Sequence, residues 1–293
     1  MSRSTRITLG LALALAPAAF AQRAAADPPR EVGLSLGAGP QATGVLEPRF
    51  TPSLPNHPEA TGSAGQDVRL AGRTGDAVAA ALTRMVSRSV GVQLVAAAAR
   101  SPLGGPSGDY AWSLSYTARQ PPNYQPQPVE ANGSTPWPAA DGELRHLALA
   151  ANVLVRYPAA ERVALSFSAG LAVQRVAGDI SPLGVTLFSE GGHAVLFSDT
   201  YRVRVALQPA TVVGVDVGTE FGWRLSPRFS LALEIRYFAA PSTRVEARVD
   251  RVLNDGEVIR QATPAELNAQ APLRGVDVDP SFGAAWAGIR YRF

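Results

Sequence analysis

The sequence predicts an all-β chain folded as an antiparallel up-and-down barrel, with eight strands favoured and ten strands as the alternative. Three observations carry this. Apolar residues alternate with polar or small ones at period two through most of the chain, which is the repeat of a strand with two unlike faces. Short turns alternate with long connecting segments. The non-apolar face is small and glycine-rich instead of charged, unlike a sheet face turned to solvent.

The elements follow in order. From Glu31 to Gly39, Val32, Leu34, Leu36 and Ala38 alternate with Gly33, Ser35, Gly37 and Gly39. Pro40 follows where a helix would begin in a nucleotide-binding loop, so Gly37-Ala38-Gly39 is read as strand. Residues 40–65 are rich in Pro, Gly, Thr and Ser and read as a loop. A second strand is best placed from Ala77 to Val86. Ser87-Arg88-Ser89 turns, and Val90, Val92, Leu94, Ala96 and Ala98 return on one face. Residues 101–144 form a long segment. Within it Tyr110, Trp112, Leu114 and Tyr116 alternate like a strand, and the proline-rich run 121–138 is unsuited to a sheet interior.

Arg145–Tyr157 and Arg162–Gln174 make a hairpin through a turn at residues 158–161. Residues 175–210 are long and partly strand-like. The clearest alternation is Val213 to Leu225, followed by a Ser-Pro-Arg turn and Leu231 to Phe238. Residues 241–279 contain the turn sequence Asn254-Asp255-Gly256. In the final strand, Phe293, Tyr291, Ile289, Ala287 and Ala285 form one face, and Arg292, Arg290, Gly288, Trp286 and Ala284 the other.

That final strand resembles the assembly signal of outer-membrane β-barrels, with Gly288, Tyr291 and Phe293 at the family's glycine–aromatic–aromatic spacing; Trp286 departs from it. The start of the chain fits the same destination. Arg3 and Arg6, the apolar run Ile7–Ala16 and Ala19-Phe20-Ala21 have the form of a secretory signal peptide. The expected division is a signal peptide at 1–21, cleaved near Ala21, and one outer-membrane barrel domain at 22–293. By architecture the chain resembles the small OmpA/OmpX/OmpW-like barrels. Long loops at 40–65, 120–144 and 241–279 are then expected outside the cell and the short turns in the periplasm. Tyr157, Trp223 and Tyr291 would form the periplasmic aromatic girdle. The implied partners are outer-membrane lipids including lipopolysaccharide and the barrel-insertion machinery, with the protein a monomer. A soluble β-sandwich or lipocalin-like barrel, with its apolar face inward, is the third architecture.

Composition narrows the chemistry. All 27 basic residues are arginine, but they are scattered and the net charge is +3, so no nucleic-acid partner is expected. There is no cysteine, hence no disulfide, lipid-anchor cysteine or thiolate metal site. His57, His146 and His193 are isolated, which leaves no metal-ligand spacing and no cofactor motif. Asp216-Val217-Gly218-Thr219-Glu220 looks like a phosphate loop of actin-like ATPases, but strand alternation runs straight through it. Ser189, Glu190 and His193 could meet in a loop, yet serine near histidine is ordinary in a polar turn. No enzyme activity is expected. A structural or surface-interaction barrel with a filled interior comes first, a narrow channel for small or hydrophobic solutes second, and a lipid-modifying or proteolytic barrel third.

The candidate site is the barrel interior. Arg156, Asp216, Glu220, Arg224, Glu234, Arg236, Arg290 and Arg292 all fall on inward positions, and charges inside a filled barrel should pair. In the last hairpin, placing Leu225 opposite Leu231 sets Glu220 across from Arg236. Placing it opposite Phe229 sets Glu220 across from Glu234. Opposed unlike charges favour the first choice. The expectation is a turn at 226–230, a Glu220–Arg236 contact, and Glu234 reaching the arginines of the closing strand.

Overall fold

The computed structural model describes residues 30–39, 44–46, 49–50, 54, 57, 59–120, 125–190, 196–253, 261–273 and 275–293. The signal-peptide stretch, His193 and the turn at Asn254-Asp255-Gly256 lie outside the described residues. In chain order the strands begin with β1 (Arg30–Gly39), β2 (Gly44–Leu46), β3 (Arg49–Phe50), β4 (Thr61–Gly72), β5 (Gly75–Met85) and β6 (Val90–Gly105). They continue as β7 (Ser107–Gln120), β8 (Gln125–Thr135), β9 (Ala140–Ala160), β10 (Val163–Glu190), β11 (Leu196–Arg224) and β12 (Phe229–Ala239). The last are β13 (Thr243–Val245), β14 (Ala247–Val252), helix α1 (Pro264–Gln270), β15 (Val276–Val278) and β16 (Phe282–Arg292).

Eight strands close a ring in the order β1-β5-β6-β9-β10-β11-β12-β16 and back to β1. Each pairs antiparallel with its neighbours, and the closing seam sets Val32 against Tyr291 and Leu36 against Ala287. Closure leaves no free edge in this part of the sheet. The tight turns, at 86–89, 161–162 and 225–228, lie at one end together with Arg30 and Phe293.

Near that end the barrel has an inverted polarity. Leu34, Leu94, Leu149, Leu171, Val213, Leu233 and Ile235 point outward and are exposed, Leu233 at 59% and Ile235 at 69%. The belt continues around every ring strand. A soluble protein does not expose an unbroken apolar surface of this extent, so the lipocalin-like alternative has the wrong polarity. Five to six outward apolar positions on a tilted strand match the apolar band of a membrane barrel, about 25 Å tall. Tyr157, Trp223, Phe229, Tyr291 and Phe293 ring its short-turn edge, all exposed. No described helix is long and apolar enough to cross a membrane.

Beyond the belt the same sheet keeps going. β10 and β11 run far past it, β6 passes its partner edge to β4, and β7 and β8 widen the sheet further. The strand-like stretch around residues 109–118 therefore belongs to β7, in this extension and not in the ring. The polarity also turns over. Val176, Ile180, Leu183, Val185, Tyr201, Val203 and Val205 are buried in one apolar core. Register shifts at Val176/Gly178 and Ile180/Leu183 re-aim the side chains, so inward positions pass from even to odd numbers along β10. Helix α1 covers this core. Thr263 caps it by accepting the Glu266 N–H (3.2 Å), Leu267 is fully buried, and Asn268 bonds both backbone groups of Val249 at 2.9 Å. Gly184 lies so close to the Tyr110 ring that a Cβ would sit 2.4 Å from it, so only glycine fits there.

Two sequence expectations change here. Residues 40–65 and 121–138, read as loop, contribute β2, β3, the start of β4 and β8. Among the described residues the proline-rich β8 pairs with β7 alone, an edge position that tolerates Pro126 and Pro128. Residues 241–279, read as a loop around one hairpin, hold α1, β13, β14 and β15.

Candidate functional site

The lumen at belt level is filled by a network of ionised side chains. Period two puts them there: if Val32 and Leu233 face out, Glu31 and Glu234 must face in. Arg156 grips Glu31 with both terminal guanidinium nitrogens, at 2.8 and 2.7 Å, and Arg292 donates to the same carboxylate at 3.0 and 2.7 Å. This two-pronged geometry is the strongest arginine–carboxylate arrangement.

A second chain of ions lies beside it. Arg236, only 2% exposed, donates to Asp216, to Glu234 at 2.8 Å, to the Gln93 carbonyl at 2.6 Å and to Ser168 at 3.2 Å. Asn152 donates to Asp216 at 2.6 Å. Arg290 bridges Glu220 and Glu234, the latter at 3.0 Å. Glu31, Asp216, Glu220 and Glu234 are thus balanced by Arg156, Arg236, Arg290 and Arg292. Charge balance matters because one unpaired ion there would face a penalty of several kcal/mol. Small residues make room for these side chains. A Cβ on Gly33 would collide with the Arg290 guanidinium, and one on Gly218 would press on Arg236 and Ser168.

Arg224 stands apart: it is exposed at the short-turn rim, with its backbone N–H bonded to Arg162. Glu31, Gln93, Asn152 and Ser168 belong to the network although sequence reasoning did not single them out. Each sits on the inward parity of its strand, so the signal was present.

The expected register of the last hairpin is overturned. Glu220 lies directly across from Glu234, and Gly218 from Arg236. Local turn chemistry fixes this. Ser226 accepts the N–H groups of Arg228 and Phe229, and Leu225 N–H bonds the Phe229 carbonyl at 2.9 Å. The first hairpin is built alike: Ser87 accepts from Ser89 and Val90, and Val86 bonds Val90 at 2.8 Å. The like charges are tolerable because Arg290, on the third strand, donates to both. No hydrogen bond or ion pair joins Glu220 to Arg236; the carboxylate partners of Arg236 are Asp216 and Glu234.

Aromatic packing adjoins the ions, with Trp286 directly across from Glu234 and Phe238 directly across from Asp216 in the strand ladders. Phe238, Phe282 and Trp286 fill the space against a wall that includes Ala79, Ala97, Ala148 and Ala172. Phe238 and Phe282 stack at 4.7 Å. Trp286, whose place in the terminal pattern is usually polar, is part of this layer. The apolar core of the extension begins beyond it.

The remaining candidates fall elsewhere. Ser189 and Glu190 end β10, and Glu190 accepts from His57 at 2.7 Å, while the other His57 nitrogen faces Glu59 at 2.9 Å. Both carboxylates hold the His57 pKa above its usual 6.5, and the histidine in turn lowers that of Glu59. His146 is buried against Phe282. The Asp216–Glu220 motif is continuous strand in β11. Among the described residues no group of side chains has metal-site geometry. Gly288, Tyr291 and Phe293 lie at the seam between β16 and β1, with Phe293 N–H bonded to the Arg30 carbonyl.

No family model and no curated protein matches the chain. Solved structures similar to it include the outer membrane protein OprG from Pseudomonas aeruginosa, 12% identical, with 91% of this chain and 96% of that one covered and a TM-score of 0.42. A major outer membrane protein from Thermus thermophilus is 12% identical over 90% of this chain and 99% of that one, with a TM-score of 0.41. The outer membrane protease OmpT from Escherichia coli is 7% identical over 90% and 97%, with a TM-score of 0.37.

Proposed function

We propose that the chain is an outer-membrane β-barrel of a Gram-negative envelope, closed to solutes, with a structural or surface-interaction role carried by its extension. The observation that supports this is the packed interior: a balanced ion network interleaved with aromatic side chains, and an apolar core in the extension. An eight-stranded barrel is just narrow enough for side chains to fill it. The short turns and both ends of the barrel domain would lie in the periplasm and the extension outside the cell. The stretch 1–21 would be the removed signal peptide. Phe293, with Gly288 and Tyr291, would be read by the insertion machinery, and the barrel would stand as a monomer among outer-membrane lipids including lipopolysaccharide. The decisive experiment is single-channel recording in planar bilayers. The proposal expects no unitary conductance; stable openings of the wild-type protein would overturn it. Deleting Phe293 should reduce the yield of heat-modifiable, folded protein.

One observation favours a narrow channel as second reading. Both polar side-chain atoms of Gln174, both ring nitrogens of His146 and the Trp286 Nε1 are buried without a hydrogen-bond partner. Groups of this kind are usually bonded, and a thread of water would satisfy them. Conductance that rises when Trp286 is changed to Ala, from a measurable wild-type level, would put the channel first. A lipid-modifying or proteolytic activity is third, and mass spectrometry of co-incubated lipopolysaccharide would detect the former.

A further inference from the structure

Three arginines stand together on the outer wall where the apolar belt ends. Arg100 on β6, Arg145 on β9 and Arg175 on β10 occupy outward positions directly beyond Ala98, Leu147 and Val173, and all three are exposed. Arg100 and Arg145 are directly opposed in the ladder. Arg175 is opposed to Leu147, one outward step from Arg145, and so is its diagonal neighbour. Directly opposed residues lie about 4.5–5.5 Å apart at Cα, and diagonal ones about 7–8 Å.

Opposed like charges destabilise a sheet unless something neutralises them. The chain supplies little. Arg145 has Glu143 at 3.6 Å, with both side chains well exposed, and Glu143 sits one outward step further from the belt. Asp179, the next carboxylate outward on β10, is taken by Arg204 at 2.9 Å. Among the described residues Arg100 and Arg175 have no ion-pair partner. The cluster is also confined to one sector. At the corresponding level β11 carries Thr211, and β5 carries Asp76, the exposed position that follows Ala77–Ala99 in the ladder on the side of Arg100; it forms no ion pair with Arg100 and sets one carboxylate beside three cations. A belt edge is where lipid phosphates lie, and guanidinium groups bind phosphate through paired N–H donors.

We propose that Arg100, Arg145 and Arg175 form a site for the phosphate groups of a phosphorylated glycolipid of the outer leaflet. This rests on the outer-membrane barrel reading above, which sets this edge of the belt in that leaflet. The three cations hold one such lipid against the β6–β9–β10 sector, and the phosphate in turn relieves the Arg100–Arg145 repulsion.

The test is native mass spectrometry of the purified full-length barrel in detergent, titrated with doubly phosphorylated lipid A. Dephosphorylated lipid A, phosphatidylglycerol and inorganic phosphate run as separate arms. One lipid A should bind, the dephosphorylated form should bind far more weakly, and the other two should not compete at equal concentration. Neutralising one arginine, as in Arg175→Gln, should weaken binding about fivefold, and all three on the order of a hundredfold. Arg84→Gln, at the opposite rim and across from Arg30, should change nothing. Equal binding by the triple variant, or by dephosphorylated lipid A, would overturn the site, as would equal competition by phosphatidylglycerol or phosphate. Heat-modifiability of each sample separates the two levels. A wild-type protein that never gives the shift of a folded barrel sinks the barrel reading and the site with it. A folded barrel indifferent to phosphate sinks the site alone. Should the triple variant fail to fold, the single Arg175→Gln loss decides.

Discussion

Strand β10 passes through two regions that use the same backbone in opposite ways. In its first half Phe167, Leu171 and Val173 face outward and exposed, while Ser166, Ser168 and Gln174 are buried inside. In its second half Ile180, Leu183 and Val185 are the buried ones. The hydrogen-bond ladder to β11 is shared by both halves, interrupted only at the register shifts. Backbone pairing therefore says nothing about which face is apolar; the surrounding solvent does. Where lipid surrounds the wall, apolar side chains go out and the ions must be satisfied inside. Where water surrounds it, the ordinary hydrophobic effect fills the interior.

The sharpest way to break this comparison is to remove an interior ion. Arg236→Ala leaves Asp216 and Glu234 buried without their shared cation, and should cost about 3–5 kcal/mol. Urea unfolding of the refolded barrel in phospholipid vesicles would measure it. Adding Asp216→Asn and Glu234→Gln should restore much of the loss. A cost near zero for the single change would mean that the belt-level lumen is wet, and the contrast between regions would fade.

The counterpart in the extension is Leu183→Ala, expected to cost about 2–5 kcal/mol by leaving a cavity in the apolar core. The damage should be local. Hydrogen exchange should quicken at the distal ends of β10 and β11 and leave belt amides protected. Uniform loss of protection would show that the two regions melt as one unit.

The outer wall offers a matched pair of substitutions. Leu233→Arg puts a charge in the lipid-facing belt and should cost about 2–4 kcal/mol. Ser198→Arg, on an exposed position of the extension, should stay within about 0.5 kcal/mol. Single cysteines at Leu233 and Ala232 sharpen the point further, since only the first should react with a lipid-phase label.

The smallest effect is a pH dependence confined to the extension. His57 donates to Glu59 and Glu190 at once only as imidazolium, which needs both ring N–H groups. Its pKa is raised, first by the Glu59 bond and then by Glu190. A raised folded-state value means the contact stabilises fully below the unfolded pKa near 6.5 and fades as pH rises through the folded value. Exchange of the Ala60 N–H, which bonds the His57 carbonyl, should therefore quicken, as pH rises past the unfolded value near 6.5 and through the folded one, in excess of its intrinsic rise. His57→Gln should remove that excess; an excess that survives the substitution would assign it to another group.

Much of this molecule is legible in its sequence, because a strand's side chains have a period of two and no choice of register alters which residues share a face. The inward set at belt level, Glu31 and Gln93 included, follows from parity alone. The segments of the extension were harder to read. Their core positions shift parity at bulges near Ser181-Pro182 and Pro209, and their Pro and Gly content mimics loop. Residues 264–270 form a helix because Thr263 caps it and Leu267 and Ala271 meet a core drawn from distant strands.

What the sequence determined by itself was therefore the faces of the belt strands: which residues meet lipid and which turn inward. What only the tertiary structure decided was the pairing of the ions. Opposed charges in a single hairpin pointed to Glu220 with Arg236, but the Ser226 turn set Glu220 against Glu234, and Arg290 from β16 neutralised both. A charge inside a closed barrel is balanced by every strand around it. The cation that makes a register tolerable can therefore come from a strand about seventy residues away, where no local pattern reaches.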